Sequence, residues 1–232
     1  MNVLITGANR GLGYEIAAEA LERGHSVIAG VRNPDEDHSG LKLLGDKHGE
    51  RLTLTRLDVT DEKGIAELAA SLQHEGRTLG AIVNNAAILT ARNTPIELLD
   101  MDEVAKTFEI NLYGPMRVVK HFLPLLTETQ AAIINISSEA GSISNAYPGD
   151  YPYAISKTAL NMFSEQLHVY LKERDIQVLG VHPGWMRTDM GGSNAPTDPR
   201  LPARGILDLI ERHTVPGARF RFVDYTGKEM PI

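Results

Sequence analysis

Val3-Leu4-Ile5-Thr6-Gly7-Ala8-Asn9-Arg10-Gly11-Leu12-Gly13 is the stretch from which the architecture of this chain can be read. An apolar, β-rich run ends at Thr6, glycines stand at 7, 11 and 13, and helix-compatible sequence begins at Tyr14. Glycines at a strand-to-helix turn let the backbone approach a ligand closely. The unpaired N–H groups and positive dipole end of the following helix then favour a phosphate. Gly7, Asn9, Arg10, Gly11, Leu12 and Gly13 are therefore candidate phosphate-binding positions. The spacing is G-x-x-x-G-x-G, not the commoner G-x-G-x-x-G, so its weight comes from its place after the first strand.

Outward from this turn, short apolar runs alternate with helix-like stretches. Strands are expected at Val3-Leu4-Ile5, Val27-Ile28-Ala29, Leu52 to Leu57, Ala81-Ile82-Val83, Ile133 to Ile136 and Val178 to Val181. Tyr14 to Arg23, Lys63 to Glu75, Met101 to Leu126 and Ala154 to Glu173 carry apolar residues near a 3.6-residue period and read as crossover helices. A seventh run, Arg219 to Val223, is expected as an edge strand beyond a loop-rich segment over 191–202. The alternation implies a single doubly wound α/β domain of the Rossmann type over 1–232. Its seven-stranded, mainly parallel sheet would have helices on both faces.

Composition narrows the function. Lys plus Arg is 23 against 30 Asp plus Glu, a net charge of −7, which argues against nucleic-acid or anionic-membrane surfaces. Without cysteine, disulfides, thiolate metal sites and a thiol nucleophile are excluded together. The eight histidines show no ligand spacing, so no metal site is expected. Neither a signal peptide nor an apolar span of ~20 residues is visible, and a cytoplasmic location is the expectation.

After the second strand a dinucleotide site presents an acid to the ribose hydroxyls, or a basic residue to the 2′-phosphate of NADP. This chain reads Val27-Ile28-Ala29-Gly30-Val31-Arg32-Asn33, with Arg32 just past the strand and Arg10 projecting from the glycine turn toward the same region. Two guanidiniums suit a dianionic phosphate, so NADP(H) is expected over NAD(H). Asp58 and Val59, ending the third strand, lie where the adenine should rest; Asp58 could equally be a loop cap.

Tyr153 and Lys157 are four residues apart on an expected helix, which stacks an ammonium beside a phenol. A carbonyl reduced by hydride needs a proton on its oxygen, and Tyr153 can supply it. Bringing a phenol of pKa ~10 to neutrality costs about 4 kcal/mol, which a cation about 4 Å away at an effective dielectric of ~20 provides. Ser138 lies fifteen residues upstream, where its hydroxyl can hydrogen-bond the substrate oxygen.

Thr-Gly-x-x-x-Gly-x-Gly, Asn84-Asn85-Ala86-Ala87, Asn111, Ile136-Ser137-Ser138, Tyr153-x-x-x-Lys157 and Val181-His182-Pro183-Gly184, in this order, resemble the short-chain dehydrogenase/reductase family. The likeness extends from residue 2 to about 190 and is nearest the small carbonyl-reductase branch, with its C-factor-like and sniffer-like members. It implies a catalytic tetrad of Asn111, Ser138, Tyr153 and Lys157, with Asn111 holding a water that connects the lysine to solvent. It also implies cofactor contacts from Asn85, Ala86, Pro183, Gly184 and Thr188, besides Tyr153 and Lys157. The substrate would be a small carbonyl or alcohol, and the assembly a homodimer or homotetramer, with Leu160, Phe163 and Leu167 serving either an interface or the sheet. Ala87 departs from the family, which more often has glycine there, and the Ser138–Tyr153 interval is slightly long, with Pro148-Gly149-Asp150 as the expected bulge. C-factor likeness leaves open a dinucleotide-binding signalling or interaction protein with incidental catalysis. A sugar-nucleotide epimerase is disfavoured by the short chain after Thr188.

Overall fold

The computed structural model describes residues 1–127 and 129–232. Its strands are β1 (Asn2–Thr6), β2 (Ser26–Val31), β3 (Leu52–Arg56), β4 (Ala81–Asn84), β5 (Ala131–Ile136), β6 (Ile176–His182) and β7 (Phe222–Asp224). They form one sheet in the order β3-β2-β1-β4-β5-β6-β7, and every neighbouring pair is parallel. The helices are α1 (Gly11–Glu22), α2 (Ser39–His48), α3 (Glu62–His74), α4 (Met101–Phe108), α5 (Gly114–Phe122), α6 (Tyr151–Tyr170) and α7 (Arg200–Ile210).

Alternation along each strand divides the core in two. Val3, Ile5, Val27 and Ala29 point to the face covered by α1, α2 and α7, whereas Leu4, Ile28 and Ile133 point to the face covered by α3, α5 and α6. Both faces of a parallel sheet must be covered in this way, which is why its strands are apolar throughout. The strand order reverses between β1 and β4, and a cleft opens there at the carboxyl ends of the strands.

Four expectations from sequence are corrected. Helices α2 and α7 lie in segments read as connections. Only Leu41 and Leu44 of α2 are buried, so its periodic signal is faint. The first turn of α7 contains Pro202, which a helix tolerates there because that N–H has no partner to lose. The loop-rich segment accordingly ends before Arg200. The helix expected over 101–126 is broken by a π-turn, Glu109–Tyr113, and ends in a 3₁₀ turn, Leu123–Leu125. Pro115, with no N–H to give the Asn111 carbonyl, stands immediately after that π-turn. Finally, β7 begins at Phe222 rather than Arg219, because the Arg221 N–H is taken by the Glu165 carboxylate instead of a ladder partner. No helix among the described residues is long and apolar enough to cross a membrane.

Candidate active site

The cleft has a volume of about 1280 Å³, more than a single small ligand requires. Gly7, Asn9, Arg10, Gly11, Leu12, Arg32, Asp58, Val59, Asn85, Ala86, Ser138, Tyr153, Lys157, Pro183, Gly184 and Thr188 all line it. Asn111 and Gly13 do not.

At one end, Gly7 and Gly11 adopt φ of +65° and +55°, a left-handed region that side chains resist. The turn is fastened from below. Thr6 Oγ1 accepts the backbone N–H groups of Asn85 and Ala86, both at 3.0 Å, while Asn85 Nδ2 donates to the carbonyls of Thr6 and Gly7 at 3.0 and 3.1 Å. Asn85 thus spends its amide N–H groups on shaping the glycine turn. Gly13 leaves room for this: a Cβ there would come within 2.5 Å of Asn85 Nδ2 and closer still to the Gly7 carbonyl oxygen. Helix α1 has no acidic residue in its first turn, so its dipole is free to meet an anion. A nicotinamide dinucleotide fits these residues: a glycine cradle at a helix N-terminus, with Arg32 at the lip and no ion-pair partner for it among the described residues.

Two positions at this end have side-chain partners of their own. Arg10 lines the same cleft as Arg32, and its Nη1 bonds the Asp189 carboxylate at 2.5 Å. Asp58 is indeed a cap, its Oδ1 accepting the Thr60 N–H at 2.9 Å and the Thr60 hydroxyl at 2.8 Å, and it also lines the cleft.

At the other end, α6 presents Tyr153 and Lys157 on one face. Lys157 is 2% exposed. Its ammonium donates to the Ile136 carbonyl at 2.7 Å and lies 5.5 Å from the Tyr153 ring centroid. Burial pulls the lysine pKa down to about 7. Burial pushes the Tyr153 phenol up; the hydrogen-bonded Ser138 hydroxyl opposes this, Asp150 adds to it and Arg92 subtracts. The expectation that Lys157 lowers the phenol is therefore corrected. In this fold the ammonium sits against the ring face and bonds a carbonyl, and desolvation of the phenol wins.

Ser138 lies partly open to the cleft, its Oγ accepting the Ala140 N–H at 3.2 Å. Ser137 is buried and donates to Asn161 Oδ1 at 2.6 Å, which removes it as a reactive hydroxyl. Asn111, 0% exposed, sits in the π-turn. Its Oδ1 accepts the Ile88 N–H at 2.9 Å, and its Nδ2 donates to the Ile88 carbonyl at 2.9 Å and the Ser156 hydroxyl at 3.1 Å. It supports the cleft wall from behind. The long interval before Tyr153 is absorbed where expected, with Gly149 at φ +102° and Asp150 at φ +48°.

Sequence reasoning missed Thr6, Arg92 and Asp150 as parts of the site. Asp150 accepts the Asn93 N–H at 3.1 Å and the Tyr147 hydroxyl at 3.2 Å, drawing together two loops. It also missed a buried chain in which Asn84 donates to Asn135 at 2.8 Å and Asn135 to Ser164 at 2.9 Å, pinning α6 to the strands. Short polar residues in loops and strands give no local signal of such pairings. Trp185 stands 58% exposed at the cleft edge rather than in the core, while Leu160 is buried and Phe163 and Leu167 pack on the sheet face. Asp208, Glu211 and His213 cluster away from the cleft, but Arg23 already pairs with both carboxylates, at 2.7 and 2.5 Å.

A glycine-lined dinucleotide cleft ending in a Ser–Tyr–Lys wall defines a class of oxidoreductase, and a family model described as short chain dehydrogenase matches residues 1–199. The chain belongs to that family. The carbonyl reductase Sniffer of D. melanogaster is 30% identical, with a TM-score of 0.90 over 100% of this chain and 99% of that one. An NADPH-bound carbonyl reductase from chicken fatty liver is 32% identical, with a TM-score of 0.87 over 100% and 98%. Estradiol 17-beta-dehydrogenase 2 of Rattus norvegicus is 34% identical over 82% of this chain but 49% of its own length; the chain spans about half of that relative.

Proposed function

We propose that this protein is an NADP(H)-dependent reductase of ketone or aldehyde carbonyls, acting reversibly on the corresponding alcohols. The observation that carries this reading is the convergence of Ser138, Tyr153 and Lys157 on one wall of a cleft whose far end is the glycine turn. The dinucleotide, when bound, supplies or accepts the hydride. Ser138 directs its hydroxyl at the substrate oxygen and fixes its orientation. Tyr153, kept protonated at neutral pH by burial, gives that oxygen its proton as negative charge develops. Lys157, titrating near 7, is poised to exchange protons at working pH. Asn111 holds the wall at Ile88 and, as the family resemblance implies, a water that returns protons from solvent. Arg32 favours the 2′-phosphate. Exposed Tyr113, Met116, Ile155 and Met162 on the α5 and α6 side suit a homodimer or homotetramer.

The test is Tyr153→Phe, with carbonyl-dependent NADPH oxidation followed over a panel of ketones and aldehydes. A loss of ~10²–10⁴-fold at unchanged NADPH affinity is expected; near-parental turnover refutes the assignment. A wild-type protein that binds NADPH yet turns over no carbonyl would instead favour the signalling or interaction reading.

A further inference from the structure

A second, smaller cavity of about 200 Å³ opens at the opposite edge of the sheet, beside the amino end of β6. Its walls include His168 near the end of α6, Lys172, Arg174 and Asp175 from the turn that follows, and Arg212 and Arg221 from the segment between α7 and β7. A lysine and three arginines thus face a single carboxylate, in a chain whose net charge is −7. That carboxylate is already engaged. Asp175 accepts the Gln130 N–H at 2.8 Å and Arg212 Nη1 at 2.6 Å, and these bonds hold its pKa below the usual range. Arg221 has no ion-pair partner among the described residues; the neighbouring Glu165 carboxylate accepts its backbone N–H instead. The Nε–H groups of Arg212 and Arg221 are both buried without a hydrogen-bond partner. Buried donors are ordinarily paired, so two unmet ones at one cavity call for an acceptor. Arg212 also holds φ +58° just past the end of α7, a left-handed position that glycine or asparagine ordinarily takes. This conformation carries its guanidinium to Asp175 and the cavity, and such strain recurs at functional sites. His168 registers the positive field: burial and then Arg221 lower its pKa, Glu165 opposes them, and Lys172 lowers it further.

We propose that this cavity binds a small dianionic oxyanion, inorganic phosphate or a compact phosphate monoester, held by Arg212, Arg221 and Lys172. Guanidiniums give charge-assisted, bidentate hydrogen bonds to phosphate oxygens, and a lysine adds a point charge. The volume suits such an ion and falls below the ~300 Å³ at which pockets for larger ligands begin, so a dinucleotide is too large for it. The bound anion joins the end of α6 to the α7–β7 connection and thereby stabilises the fold. Tyr153 and Lys157 lie toward the other end of α6, and the site is independent of the nucleotide reading above.

The test titrates inorganic phosphate, glycerol phosphate and, at matched ionic strength, chloride into wild type, Arg221→Gln, Lys172→Gln and Arg32→Gln. Tm and the NMR signals of the arginine Nε–H groups are followed. Phosphate at about ten-fold excess over its Kd should raise the wild-type Tm by about 3–6 °C. Chloride should not, and the Nε–H signals of Arg212 and Arg221 should move together and saturate with phosphate. Arg221→Gln should weaken binding at least ~10-fold, and Lys172→Gln about two- to five-fold. Arg32 lines the other cleft, so Arg32→Gln should keep the whole effect. A larger rise with glycerol phosphate than with the inorganic ion identifies a monoester as the ligand, and an equal or smaller one the free ion. The inference is overturned if phosphate leaves both Nε–H signals in place. It is equally overturned if the Tm rise survives Arg221→Gln and disappears in Arg32→Gln, which puts the anion at the glycine turn. Should Arg221→Gln fail to fold, the wild-type signals and Lys172→Gln, a change at an exposed residue, decide the question.

Discussion

Lys157→Met should make the protein more stable and less active at once. The lysine is 2% exposed, and its pKa falls from 10.5 to about 7 through burial. At about 1.4 kcal/mol per pH unit, that drop corresponds to about 5 kcal/mol against the buried cation. Methionine fills a similar volume without charge. It forfeits the bond to the Ile136 carbonyl, 2.7 Å long in the wild type, at a cost of about 1–3 kcal/mol. The net expectation is a gain of ~2–4 kcal/mol at pH 7, with Tm rising about 2–4 °C per kcal/mol for a domain of this size. The sign with pH is fixed. Because the folded pKa lies below the unfolded one, the unfolded chain binds the extra proton between about 7 and 10.5. Wild-type stability therefore climbs with pH through that window and levels off at its lowest value below about pH 7, where both states carry the proton. Between pH 7 and pH 9 the wild type should recover about 2 kcal/mol relative to Lys157→Met. Urea unfolding of both proteins at the two pH values measures this, with carbonyl reduction by the variant expected to fall at least ~10²-fold. A gap that stays constant with pH, or a variant clearly less stable at pH 7, refutes the reasoning.

Gly13→Ala drives a methyl toward the Gly7 carbonyl and Asn85 Nδ2; a Tm drop and loss of NADPH fluorescence quenching should follow together, whereas an unchanged Tm would contradict the packing argument. Asn111→Ala leaves the Ile88 N–H and carbonyl without their 2.9 Å partners and should cost about 2–4 kcal/mol in chemical denaturation. Ser138→Ala should lower kcat ~10²-fold or more with cofactor affinity intact, measured by steady-state reduction. Asp150 raises the Tyr153 pKa and Arg92 lowers it. If Tyr153 is the acid, the alkaline limb of the reduction pH profile should therefore move to lower pH in Asp150→Asn and to higher pH in Arg92→Gln.

The sheet was legible because each strand is a short apolar run bounded by polar residues, and all seven expected strands overlap those observed, six of them with small end shifts. Helix α7 was hidden by Pro202, whose effect depends on falling in a first turn, and the break in the long helix by Pro115, whose missing N–H is met by a π-turn. Most expected site residues do face one cleft, since motifs at the carboxyl ends of parallel strands converge wherever the strand order reverses.

By itself the sequence determined the doubly wound topology, the glycine turn and the Tyr153–Lys157 face, because these follow from local periodicity and fixed helical spacing. Only the tertiary structure decided that the Ser137 hydroxyl is held by Asn161 while Ser138 stays partly open, and that Arg10 reaches Asp189. It also decided that Asn111 holds a wall from behind, and that burial rather than Lys157 governs the Tyr153 phenol. The physical reason is common to all four. Desolvation and hydrogen-bond partners depend on which distant segments arrive at a side chain, and no local spacing records that arrival.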